Sequence, residues 1–267
     1  MLVSCRKAVL EERGPCPSLL YFDVFNAGAF GNRDRVCVHA YRYPDRSSLA
    51  CDTTTIRALT DKDFFLNIRL ADAVRGSGVL GFRNSRAPDG IHWTVPPGCQ
   101  FDSLFRFSYL SIVEPELFTV PVEFVKEFCC ISIQFVNAQF WSKEKNVFPY
   151  DVAIKSGSCG VDVLTGTPVK GTFSCWAQEP ERGLFQCILP RQQGNEDLLM
   201  ELYIRDDASK NREPAHSYNL GGILAELGGV TWQEKNLPDV FVGIDFKDSD
   251  FQVQIMPWEY KEIDYEY

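Results

Sequence analysis

From residue 20 onward the chain is a succession of short runs in which apolar and polar positions alternate, punctuated by glycine, proline and acidic turn residues. "SLFRFSYLSIV" (103–113) is the clearest case. Leu104, Arg106, Ser108, Leu110 and Ile112 fall on one side, and Phe105, Phe107, Tyr109, Ser111 and Val113 on the other. Successive side chains of a strand point to opposite faces, so such a run predicts extended structure with two distinct faces. "LYFDVFN" (20–26), "RVCVHAYR" (35–42), "DFFLNIRL" (63–70), "GVLGF" (78–82), "GIHWTV" (90–95) and "FCCISIQFVN" (128–137) read the same way. "GVDVL", "GTFSCWA", "GLFQCILP", "DVFVGIDF" and "DFQVQIMPW" continue the style to residue 258. "DLLMELYIRD" (197–206) stays open between strand and short helix, because Leu198, Leu199, Leu202 and Tyr203 also fit a helical stripe. "GGILAELGG" (221–229) predicts a helical turn or two between glycine pairs.

Strands at this spacing predict a mainly β protein, an antiparallel sandwich or barrel with few short helices. The charged, proline-containing stretch over 137–156 allows two fused β modules, 20–137 and 138–256, or a single decorated domain. Residues 1–19 then form an N-terminal extension and 257–267 an acidic aromatic tail. No repeat of fixed period is visible.

Composition sharpens this. The chain has 20 Phe against 3 Met, which suits pleated sheets better than helices. A net charge of −9 makes nucleic-acid binding unexpected, since that needs a basic face that displaces counterions. Arg33, Arg35, Arg42 and Arg46 are interrupted by Asp34 and Asp45 and read as solvated positions. Charges begin at Arg6, and no window is apolar enough to span a membrane. The expected address is therefore cytoplasmic or nuclear, not secreted, with the 10 cysteines reduced. There is no Cys-x-x-Cys, and His39, His92 and His216 are far apart, so local spacing supports no zinc site.

No complete catalytic constellation emerges. No serine sits in a nucleophile elbow, and the glycine-rich stretches lack the lysine of a phosphate loop. "GSCG" (157–160) reads as a structural or exposed thiol. His92 in "HWT" lacks the second His-x-Thr copy that a two-histidine phosphoesterase would need. Asp245, Asp248 and Asp250 lack the spacing of a calcium loop. Asp162 lies between Val161 and Val163, with Gly166 and Gly171 beyond. Alternation lets it project into a pocket, or simply mark a hairpin about to turn.

Three scattered segments resemble dUTPase-type β-barrel proteins. "CGVDVLTG" (159–166) is similar to their first motif, "GIHWTVPPGC" (90–99) to the strand preceding the phosphate-binding serine motif, and "RSSLA" (46–50) to that serine motif. As an enzyme, the resemblance implies a nucleotide pyrophosphatase with Asp162 as catalytic acid and magnesium as cofactor. The chain departs from that pattern: it ends "MPWEYKEIDYEY" where such enzymes carry a glycine-rich closing tail, and it lacks the second acid motif. The resemblance thus implies a non-catalytic relative, a protein-binding or regulatory factor like those of large DNA viruses, needing no cofactor. A jelly-roll structural protein, capsid or movement component, is a further alternative. The binding residues expected for a protein partner are Trp258, Tyr260, Tyr265 and Tyr267 of the tail.

Overall fold

In the computed structural model of the protein, the alternating runs become strands of four sheets, with few short helices. It describes residues 17–42, 46–69, 74–81, 91–111, 117–136, 148–205, 214–245 and 250–256.

The first sheet centres on β1 (Pro17–Val24), with β4 (Leu66–Arg69) antiparallel on one side and β8 (Leu117–Val122) parallel on the other. A second sheet runs in the order β3 (Ser48–Thr55), β2 (Arg35–Arg42), β5 (Val74–Gly81), β7 (Leu104–Ser111) and β9 (Val125–Lys126). Phe22 of β1 meets Phe107 of β7 edge-on at 6.1 Å, so the two sheets face one another across an aromatic core. Phe30, Phe105 and Phe124 extend that core. Helix α1 (Ile56–Thr60) buries Ile56 and Leu59 and is capped by the Thr55 side chain.

The second sandwich centres on β10 (Phe128–Val136), flanked by β14 (Leu184–Pro190) antiparallel and β17 (Asp239–Asp245) parallel. Strands β13 (Gln178–Glu181) and β18 (Asp250–Met256) form its edges. The opposing sheet has the order β12 (Pro168–Trp176), β11 (Tyr150–Asp162), β15 (Leu199–Ile204) and β16 (Pro214–Tyr218), and β6 (His92–Thr94) pairs with the end of β11. A disulfide from Cys175 of β12 to Cys187 of β14 joins the two sheets through their core. Helix α2 (Leu220–Ile223) runs into a π turn ended by Gly229 at φ 62°, the left-handed conformation that glycine adopts without penalty.

The two sandwiches share one topology. Strand order β4-β1-β8 facing β3-β2-β5-β7 in the first is matched by β14-β10-β17 facing β12-β11-β15-β16 in the second. Each corresponding pair has the same direction, including the parallel pairing of first and last strands. The expectation of a mainly β architecture with few helices is met by open sandwiches, and among the described residues no sheet closes into a barrel. The two parallel pairs were not expected, because alternation has the same period of two whichever way a neighbour runs. "DLLMELYIRD" resolves as a strand: Met200 and Leu202 point into the core while Glu201 pairs with Ala153.

Candidate functional site

Asp162 stands at the end of β11, where it holds a turn. Its Oδ1 accepts hydrogen bonds from the backbone N–H groups of Leu164 (2.8 Å) and Thr165 (2.9 Å). Its Oδ2 lies 3.2 Å from Arg46 Nη1 and 3.9 Å from His92 Nε2. Gly166, at φ 74°, completes the turn, and its α-carbon sits so near the Arg106 guanidinium that a Cβ there would collide with it. The acid is thus occupied as an Asx-type turn anchor between two sandwiches. The three dUTPase-like segments form different features: the β11–β12 hairpin, strand β6 with its following turn, and the lead into β3. Arg46 and His92 are nevertheless brought to Asp162 from 116 and 70 residues away in the chain, a proximity that neither spacing nor motif announces.

Where the sandwiches join, Glu127 is fully buried between two arginines. Arg106 Nε of β7 stands 2.7 Å from Glu127 Oε1, an ion pair whose alignment falls short of a hydrogen bond. Arg191 Nε donates to Glu127 Oε2 at 2.5 Å. The remaining Arg191 nitrogens donate to the carbonyls of Lys126, Trp232, Glu234 and Lys235, fastening the 232–235 loop to the junction. Lys126, also buried, reaches Asp239 Oδ1 at 2.6 Å and the Leu237 carbonyl at 3.0 Å. These groups are structural: each buried charge is matched by a partner close by, as burial of charge demands.

The outer face of the β12-β11-β15 sheet is different, because its part-exposed Trp176, Lys155, Asp151 and Arg205 are held in fixed positions over the buried Glu201 and Tyr203. Ladder register puts Trp176, Ala153 and Glu201 in one row and Asp151 and Tyr203 in the next. Trp176 is 44% exposed and meets Tyr203 edge-on at 5.1 Å. Glu201 Oε2 accepts from the Tyr203 hydroxyl at 2.5 Å and lies 2.5 Å from Lys155 Nζ. Arg205 bridges Asp151 (2.6 Å) and Glu179 (2.5 Å). Burial pushes the Glu201 carboxyl up, but hydrogen bonds from Lys155 and Tyr203 outweigh it and hold the group below its ordinary range. The Lys155 ammonium is held above its ordinary value, chiefly by its hydrogen bond to Glu201.

The thiols divide by surroundings. Cys129 is fully buried and its thiol is pushed far up by desolvation, while its neighbour Cys130 faces the other way and is partly exposed, as alternation requires. Cys37, His39 and Cys51 converge on one face of β2 and β3 and are the described residues able to hold a metal ion. Beside them the Tyr41 hydroxyl is pushed up to about 12, first by burial and then by Cys51, Cys37 and Asp162. The tail residues Trp258, Tyr260, Tyr265 and Tyr267, expected as binding groups, lie outside the described residues, as does Asp248. No helix among the described residues is long and apolar enough to cross a membrane.

No family model matches the chain, and no curated protein matches its sequence. Solved structures do share its fold across nearly the whole length. A candidate polysaccharide-binding protein (DUF1812) of Bacteroides thetaiotaomicron superposes with a TM-score of 0.55 at 12% identity, over 91% of this chain and 98% of that one. The fimbrial anchor protein Mfa2 of Porphyromonas gingivalis gives 0.55 at 9% identity over 91% and 98%. A candidate adhesin of Bacteroides ovatus gives 0.53 at 12% identity over 90% and 92%. At such identities the likeness is one of fold. It overturns the resemblance to dUTPase-type and viral proteins, whose three segments lie on separate features of this fold. It also overturns the cytoplasmic or nuclear, non-secreted address, since the matched architectures belong to a fimbrial anchor protein and a candidate adhesin. The expectation of reduced thiols is corrected too: Cys175 and Cys187, twelve residues apart, are paired in a disulfide, a bond at home in oxidising compartments. The architecture is that of a tandem β-sandwich.

Proposed function

We propose that this protein is a non-catalytic, cell-surface binding protein of the adhesin type, and that it holds neutral polysaccharide on the outer face of the β12-β11-β15 sheet. The observation that carries the reading is the half-exposed Trp176 ring standing beside a set of donors and acceptors already fixed by ion pairs. A sugar ring has an apolar C–H face and an equatorial rim of hydroxyls. The first suits the indole plane, and the second suits the part-exposed Lys155 ammonium, Asp151 carboxylate and Arg205 guanidinium on the same face. Groups held in place before binding lose little conformational freedom when a ligand arrives. The net charge of −9 favours neutral chains over sulfated or uronic ones. The fold likeness to a candidate polysaccharide-binding protein and to adhesins supports this class of function.

Immobilised starch, mannan, hyaluronan and chondroitin sulfate provide a test panel. The expected result is saturable binding to a neutral member that Trp176→Ala removes while leaving the melting temperature unchanged. Binding to none of the neutral chains, or undiminished binding by the variant, would overturn the proposal.

A further inference from the structure

We propose that Cys37, His39 and Cys51 form a zinc site on the β2–β3 hairpin. The ladder itself assembles it. Cys37 and His39 are two apart on β2 and so share a face, and Cys51 of β3 lies directly opposite His39 in the register. Cys37 Sγ is 3.0 Å from His39 Nε2, Cys51 Sγ is 3.3 Å from the same nitrogen, and the two sulfurs are 3.8 Å apart. All three ligand atoms fall within 4.8 Å of one another.

Zinc bound tetrahedrally at about 2.3 Å from sulfur and about 2.0–2.1 Å from nitrogen places two sulfurs about 3.8 Å apart and a sulfur and a nitrogen about 3.6 Å apart. The sulfur pair already meets that separation. The two sulfur–nitrogen distances need the imidazole to swing outward by a few tenths of an ångström. Two thiolates and one imidazole are a donor set suited to zinc. Cys37 and His39 are buried, whereas Cys51 is exposed, so the metal would sit at the surface with its fourth position open to water. The Thr53 hydroxyl, opposite Cys37, is 3.8 Å from the Cys37 sulfur and positioned to support it. This site lies on the first sandwich and is independent of the polysaccharide reading.

The test uses the full chain, reduced and stripped with a chelator, then equilibrated with Zn²⁺ or with Co²⁺ as a spectroscopic probe. Expected are one metal ion per chain by elemental analysis and, with cobalt, a thiolate charge-transfer band with the visible bands of tetrahedral geometry. Cys51→Ser, at an exposed position that folding should tolerate, is expected to abolish both signals. Cys99→Ser, which removes another exposed thiol, should leave them intact. Thr53→Val should weaken affinity about tenfold. Failure to bind a stoichiometric ion, or Cys51→Ser binding as the parent does, would overturn the site. So would a Cys37–Cys51 disulfide that persists in unreduced protein supplied with zinc.

Discussion

Replacing Glu127 by glutamine would leave Arg106 and Arg191 facing one another in a buried junction with no anion between them. The side chain of Glu127 is fully buried, and those of Arg106 and Arg191 are 12% and 8% exposed. Glutamine keeps the shape, so no cavity opens and the loss is electrostatic. Removing one member of a buried ion pair costs about 3–5 kcal/mol, because the remaining charge stays desolvated without compensation. Native domains are stable by roughly 5–15 kcal/mol, so this change removes about a fifth or more of the reserve. The folded-to-unfolded ratio should fall by roughly two to four powers of ten. Urea unfolding, followed by tryptophan fluorescence and by far-ultraviolet circular dichroism, reads this directly. Because Arg106 belongs to the first sandwich and Arg191 to the second, the two probes should also separate into distinct transitions in the variant. Adding Arg106→Met in the same chain should recover part of the loss, with a coupling of about 0.5–3 kcal/mol. A loss below about 1 kcal/mol, the range of solvated surface pairs, would refute the argument that this triad clamps the junction.

Gly160 faces the Trp93 carbonyl so closely that a methyl group cannot fit, and Gly160→Ala should cost about 1–3 kcal/mol in urea unfolding by prising β6 from β11. An unchanged midpoint would show that β6 is not held there. Removing the inter-sheet disulfide as Cys175→Ala with Cys187→Ala frees a short loop in the unfolded chain and should cost about 3 kcal/mol, measured against the unreduced parent. Glu201 is held below its ordinary value of 4.5, so its contribution to stability is complete above that pH and is lost as pH falls through the lower folded value. The melting temperature of the parent should therefore decline below pH 4.5 more steeply than that of Glu201→Gln, and parallel profiles would contradict the ion-pair network on the sheet face.

Period-two patterning announced most of the strands, because burial on one face leaves its mark at every second residue. Thus Phe105 and Phe107 are core positions and Ser108 is not. Strand direction left no such mark, so the parallel pairs β1–β8 and β10–β17 and the shared topology of the sandwiches could be seen only in three dimensions. The candidate sites were hidden for a related reason. Trp176, Glu201 and Tyr203 come from strands over 20 residues apart and meet through ladder register. Cys37 and His39 did carry a readable signal, a Cys-x-His on one strand face. The third ligand, Cys51, required knowing that β3 folds back with His39 opposite it. Asp162 drew attention through its flanking valines and glycines, which are equally the marks of the hairpin turn it anchors.

The polysaccharide reading is tested most directly by hydrogen exchange on the full chain with and without soluble starch or mannan, whichever the immobilised panel selects. Protection is expected over residues 151–155, 172–176 and 199–205, where the outer face of the second sandwich carries Trp176 and Tyr203, and should vanish in Trp176→Ala. Protection confined to the first sandwich or to β17 and β18, with this face exchanging as in the free protein, would contradict it.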